Sequence, residues 1–386
     1  MPALAALRPQ VEAFVARALP LWFGAGLDES QGVFVEALSV AGQPLTDLPR
    51  RARVQARQLY ALGLAYQREE FVESAQGHRK LMERVATSVR RVYGAPGDGL
   101  HTLVSAHGEV LDSTRVLYDQ AFYLMALAWL YRVTGNVQYR DDAEALWAFI
   151  ETLRDPVHGG FQISDAPAVL PRQQNPHMHL FEACLLWAEH LGAAAWSARA
   201  DELYMLFQTR FLDTVTGPLP FLRELFTADW QLDPQRGDHL DPGHHYEWTW
   251  LLGRYQHLSG AAVPALPLLY RTAQTWGTDR DGLAYDEILP QGRELRSTKR
   301  LWVQCEVLKG HLAYARWSGD KVESEAALER AEHVLQNVLT YYLTSQGTWY
   351  DQLSRDRRVL SQNAPSSTLY HLYVALNEAL PVRVAS

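Results

Sequence analysis

The sequence predicts an all-α fold, an (α/α)6 barrel of six helical hairpins, and three observations carry that expectation. Apolar residues recur with the helical period of about 3.6 over long stretches almost free of proline and glycine, strand-like alternation is scarce, and a glycine turn returns six times. The turn glycines are Gly32, Gly99, Gly160, Gly217, Gly282 and Gly347, spaced 57 to 67 residues apart. A unit of that length holds two helices of about 15 to 20 residues with their connections, and such pairs bury their faces by stacking on neighbours. Six units exhaust the 386 residues. A closed ring is expected rather than an open superhelix, because the repeat number is six, the units are long and no polar capping repeat stands at either end. That makes residues 1–386 one catalytic domain without a linker, with its long connections gathered at one mouth where a pocket forms.

The elements follow in order. Met1 to Leu19 carries Arg8, Glu12 and Arg17 inside an apolar pattern and reads as an amphipathic helix. It lacks the compact apolar region of a signal peptide, and nowhere does the chain reach the roughly 18 uninterrupted apolar residues of a membrane span. A cytoplasmic location and no membrane partner are therefore expected. Val54, Leu59, Leu62 and Ala65 mark the next helix, and Phe122–Leu130, Leu180–Leu191, Trp248–Tyr255, Val303–Ala315 and Leu369–Leu380 mark five more. Between them stand turns such as Asp28-Glu-Ser-Gln-Gly32, Asp155-Pro-Val-His-Gly-Gly160 and Asp279-Arg-Asp-Gly282. Cys184 and Cys305 fall inside apolar helical stretches and are expected as packing thiols in a reducing compartment.

Charge narrows the function. Lys and Arg number 36 against 44 Asp and Glu, a formal net charge of −8, and basic residues cluster only briefly, at Arg50, Arg51 and Arg53. A nucleic-acid partner needs a basic surface, so none is expected. The 47% hydrophobic content excludes disorder.

Five clusters could carry chemistry. Arg53, Arg57 and Tyr60 share one face of an otherwise apolar helix, where a guanidinium needs an anionic or multiply hydroxylated partner. Asn175-Pro-His177-Met-His179 opens a helix with Asn175 as its expected cap. His177 and His179 point to different faces, whereas His179 and Glu182 share one. In Asp241-Pro-Gly-His244-His245-Tyr-Glu247, His244 and Glu247 lie one turn apart, so the carboxylate is expected to orient His244 and raise its pKa; His245 points elsewhere and reads as structural. Trp302 and Glu306 stand at i, i+4, an aromatic plane beside a carboxylate, and Tyr370-His371 follows a polar helix start. HExxH and paired CxxC signatures are missing, and no metal is expected. All five clusters fall in a similar phase of the repeat, which places them at one barrel mouth.

In this order the clusters resemble the N-acylglucosamine 2-epimerase superfamily, in its mannose isomerase and sugar 2-epimerase branch; the motifs are Arg53-Val-Gln-Ala-Arg57, Asn175-Pro-His-Met-His179, Pro242-Gly-His244-His-Tyr-Glu247-Trp, Trp302-Val-Gln-Cys-Glu306 and Tyr370-His371. The resemblance implies no cofactor, catalysis by His244, His371, Glu247 and Arg57, and substrate binding by Asn175, His179, Tyr118, Trp302 and Glu306. It implies an aldose–ketose isomerase interconverting D-mannose and D-fructose, or D-lyxose and D-xylulose, through a cis-enediolate. A mannose, glucose or cellobiose 2-epimerase is the alternative. A glycoside hydrolase using two of Glu182, Glu247 and Glu306 ranks lower, as does a non-catalytic sugar-binding module. The sequence departs from the family where Leu372 follows His371 in place of the arginine of several members, and it has no GxxxxGK loop. Both departures point to a neutral monosaccharide as partner, handled by a monomer or homodimer.

Overall fold

The computed structural model describes residues 2–71, 74–166, 170–192 and 194–380. A short turn of helix, α1 (Pro2–Ala5), precedes α2 (Arg8–Phe23), which buries Val11, Phe14, Val15, Ala18, Leu19, Trp22 and Phe23 along one stripe. Then follow α3 (Ala52–Gln67), α4 (Ala75–Tyr93), α5 (Leu117–Thr134), α6 (Val137–Thr152), α7 (Gln174–Leu191) and α8 (Ala194–Leu206). The chain ends with α9 (Pro242–Ser259), α10 (Ala265–Thr272), α11 (Leu301–Trp317), α12 (Lys321–Tyr341) and α13 (Thr368–Ala379). Odd-numbered helices from α3 onward are buried nearly all round, and even-numbered ones from α2 onward only on one stripe. Each odd helix packs on the next odd one, and α13 packs back on α3. The expected ring is therefore closed, with six inner and six outer helices among the described residues. None of these helices is long and apolar enough to cross a membrane.

Close packing of the inner ring uses small residues where backbones approach. A Cβ on Gly310 would come within 2.5 Å of the Tyr246 ring, and one on Gly63 within 2.6 Å of Trp129. The outer layer is joined across the chain ends by Trp22, which stacks on Trp349 at 4.3 Å and donates its Nε1–H to the Gly347 carbonyl.

The repeated glycine turn has a physical basis. Five of the six glycines, Gly217 being the exception, have positive φ between 67° and 82°, where a side chain is strained. Each of these five reverses the chain after an outer helix, and the extended segment that follows is gripped in four of those units, and in the Gly217 unit, by the fourth residue of the next inner helix. Gln55, Gln120 and Gln304 use their amides to accept from and donate to the backbone of Phe34, Leu100 and Ala284. His177 and His245 accept from the N–H of Phe161 and Leu222 on Nε2 and donate from Nδ1 to the carbonyls of Gln173 and Asp241. Among the described residues, the long connections from outer to inner helices carry seven small antiparallel sheets.

Candidate active site

The gripping position also orients the inner helices. Residues two before and two after it lie four apart, on one face directed at the barrel axis. They are Arg53 and Arg57 on α3, Tyr118 and Phe122 on α5, Asn175 and His179 on α7, Gly243 and Glu247 on α9, and Trp302 and Glu306 on α11. A cavity of about 490 Å3 opens at this mouth. Arg57, Tyr118, Asn175, His179, His244, Glu247, Trp302 and His371 line it, and Glu306 lies just beneath. The structure thus brings all nine expected site residues together.

Two local readings are corrected. Glu247 does not hold His244: the His244 Nδ1–H donates to Glu224 Oε2 at 3.0 Å, and Asp241 stands 4.0 Å away. Glu224 comes from the connection before α9, where no periodicity marks it, and Gln174 donates to the same oxygen at 2.8 Å. Both Glu247 oxygens are buried without a hydrogen-bond partner among the described residues, on the wall of the cavity. Asn175 is likewise not the cap of α7, because that helix begins at Gln174 and turns Asn175 toward the cavity. The grouping of Arg53 with Arg57 holds only as a shared face: Arg53 pairs with buried Asp119 at 2.6 Å and lies over the Tyr118 ring.

Of the three imidazoles lining the cavity, His244 and His371 are driven to opposite charge states. Burial alone would push His244 down, but Glu224, with Asp241 and Glu247, raises it to about 10. His371 is held well below the ordinary histidine value by burial and by the cationic neighbours Arg57 and Lys309. Its Nδ1–H donates to Glu306 Oε1 at 2.7 Å. Trp302 packs against both rings, its centroid 5.4 Å from each. Opposite, Arg57 donates to the Tyr118 hydroxyl at 2.7 Å and the Ser367 carbonyl at 3.2 Å, and it lies over Phe122. Among the described residues no carboxylate pairs with Arg57. His177 and His245, engaged at both ring nitrogens, are each pushed by burial to about 4 and stand apart from this chemistry.

Two triads, His179–Glu182–Glu247 and Glu247–Glu306–His371, place potential metal-ligand atoms within 4.8 Å of one another. Two of their three carboxylates are already engaged, Glu182 by the Tyr370 hydroxyl and His179, and Glu306 by His371 and by Lys309 at 2.7 Å, while Glu247, common to both triads, has no such partner among the described residues. The Lys309 ammonium occupies the position from which Glu306 would bind a cation, and Glu182 is bonded to His179, so among the described residues each triad keeps only Glu247 and one imidazole nitrogen free, fewer donors than a dication site needs. An acid, a base, a guanidinium without a counter-charge and an aromatic wall in one cavity suit proton transfer beside a carbonyl.

Residues 32–375 match the N-acylglucosamine 2-epimerase (GlcNAc 2-epimerase) family. The chain is 34% identical to a mannose-6-phosphate isomerase of Rhizobium meliloti (strain 1021), over 94% of this chain and 93% of that protein. It is 22% identical to a cellobiose 2-epimerase of Bacteroides fragilis, over 88% and 89% of the two chains. The crystal structure of a D-mannose isomerase shares the fold, with a TM-score of 0.84 at 20% identity over 97% of each chain. The chain therefore belongs to the N-acylglucosamine 2-epimerase family and is a sugar isomerase or epimerase.

Proposed function

We propose that the enzyme is an aldose–ketose isomerase acting on free D-mannose and D-fructose, working as one domain, monomeric or dimeric, in the cytoplasm. What carries the mechanism is the pair of imidazoles each 5.4 Å from Trp302, His244 raised by its carboxylate neighbours and His371 lowered by burial and cationic neighbours. Groups whose environments drive their pKa values apart divide into acid and base. His244, protonated, donates to the ring oxygen as the C1–O5 bond of the pyranose breaks; the O1–H electron pair forms the C1=O1 bond and the O1 proton passes to the His244 imidazole, which restores its protonated form. His371 Nε2 then takes the C2 proton; the C2–H electron pair forms the C1=C2 bond, and the carbonyl pair moves to O1. Arg57 faces the oxyanion that develops. Return of the proton from His371 to C1, with transfer of the O2 proton to O1, yields the ketose.

A free sugar is favoured over a phosphate ester by the charges at the mouth. Arg51 is already paired with Glu36, and Arg300 with Asp241 and Asp286, while Glu287 and Asp351 also line the opening. Apart from Arg57 and His244, which the reaction itself engages, a phosphate dianion would meet carboxylates and guanidinium groups that are already paired. The second reading, 2-epimerisation, draws on the same two imidazoles, because reprotonation of C2 from the His244 side inverts that carbon.

The test is proton NMR of the protein with mannose in D2O containing EDTA. Fructose deuterated at C1 supports the isomerase, and glucose deuterated at C2 selects the epimerase. Turnover of mannose 6-phosphate in preference to mannose overturns the assignment of a free sugar, and no exchange with any hexose refutes both readings.

A further inference from the structure

Beneath the cavity floor lies a group that the mechanism above does not use. Lys309, on α11, is fully buried, one turn beyond Glu306. Its Nζ pairs with Glu306 Oε2 at 2.7 Å, lies 3.8 Å from the centre of the Trp250 ring on α9, and is 5.9 Å from the Tyr370 ring on α13. Glu247 on α9 and Glu182 on α7 also act on it electrostatically, which makes three buried carboxylates around one ammonium.

A buried lysine adds little to stability, since an apolar side chain of the same volume at such a site is often as good or better. The chemistry of the neighbouring bonds gives it a purpose. Glu306 presents one oxygen to Lys309 and the other to His371 Nδ1. While Glu306 is a carboxylate it can only accept, so His371 must carry its proton on Nδ1 and turn an unprotonated Nε2 to the cavity. A neutral Glu306 could donate to Nδ1 instead, which moves the imidazole proton to Nε2 and removes the base. Burial and the carboxylates of Glu247 and Glu182 push Glu306 well above the usual carboxylate range, toward that neutral form, and Lys309, in contact with its Oε2, is the cation that opposes them.

We infer that Lys309 is a positioning residue: its ammonium keeps Glu306 a carboxylate, and Glu306 thereby fixes His371 in the tautomer with a free Nε2. The inference rests on the reading of His371 as the base. The other titratable and charged groups facing His371 are Arg57 on α3, His179 on α7, and Glu247 and His244 on α9. All of these remain when Lys309 is changed, so the effect of that change reads Lys309 alone.

The experiment combines 15N NMR of histidine-labelled protein with pH profiles of mannose turnover for the wild type, Lys309→Met, Lys309→Arg, and Lys309→Met in a Glu306→Gln background. The wild type is expected to show His371 protonated at Nδ1. Lys309→Met is expected to show it protonated at Nε2, with the acid limb of kcat shifted up by about 1–3 pH units and KM nearly unchanged. Lys309→Arg keeps the charge and should restore the limb. In the Glu306→Gln background, where the amide does not titrate, loss of Lys309 should leave the limb in place. A wild-type His371 protonated at Nε2 overturns the inference without any variant having to fold. Uniform loss of turnover at all pH values with an unshifted limb also overturns it, as the mark of a merely structural lysine. Wild-type protein that turns over no sugar refutes the proposed function, while the tautomer comparison still decides the role of Lys309.

Discussion

Replacing Glu224 by glutamine should move the alkaline limb of activity, because this carboxylate is the one that charges His244. Two unit charges 3.0 Å apart interact by about 5.5 kcal/mol at an effective dielectric of about 20. Each pKa unit is worth about 1.4 kcal/mol, so that is an upper bound of about four units, and partial solvation at the mouth lowers the expected loss to about two to three. The amide oxygen introduced by Glu224→Gln can still accept from His244 Nδ1–H and Gln174, which keeps the ring in place. In the wild type, kcat/KM for mannose should stay high until the pH nears His244's value of about 10. In Glu224→Gln the limb should fall about two to three units lower, costing about 10- to 100-fold at pH 9 and less than about twofold at pH 6. Stability gives an independent readout of the same group. A histidine whose folded pKa is raised from 6.5 to about 10 contributes stability that is fully present below 6.5 and lost as pH rises through about 10. Thermal unfolding of the wild type should therefore weaken across that window, and less steeply in Glu224→Gln. If the limb stays fixed in Glu224→Gln but moves in Glu247→Gln, the assignment of the partner is wrong.

Further outcomes are expected elsewhere. Arg57→Ala should lower kcat/KM by about 100- to 1,000-fold while leaving the unfolding temperature nearly unchanged, as measured by steady-state kinetics and calorimetry. His245→Ala should do the reverse: it strands the Leu222 N–H in a buried site, costing about 1–3 kcal/mol in denaturant unfolding, with the pH profile retained. Gly310→Ala drives a methyl group into the Tyr246 ring and should destabilise by about 1–3 kcal/mol in the same assay. Exhaustive dialysis against EDTA should leave mannose turnover intact, and its loss with recovery on adding a divalent cation would contradict the reading of Lys309 and the engaged carboxylates.

Much of this architecture can be read from residue order because its signals are local. Glycine turns at a steady interval, apolar inner helices and the positions two either side of each gripping residue depend on neighbours a few residues away, and they brought Arg57, Tyr118, Asn175, His179, Glu247, Trp302 and Glu306 to one axis. His245 was also legible as structural, since it stands one residue, about 100°, from His244 on the same helix. The partners were not legible. A helix face shows that His244 and Glu247 can be neighbours, yet Glu224, from a connection 20 residues earlier, takes the imidazole. Lys309 looks like one more residue in an apolar helix until α7, α9 and α13 surround it with carboxylates and rings. Periodicity determines which way a side chain points. Charge state depends on the field of groups brought within a few ångströms from distant parts of the chain, so only the closed ring decided which histidine is protonated and which is free to act as a base.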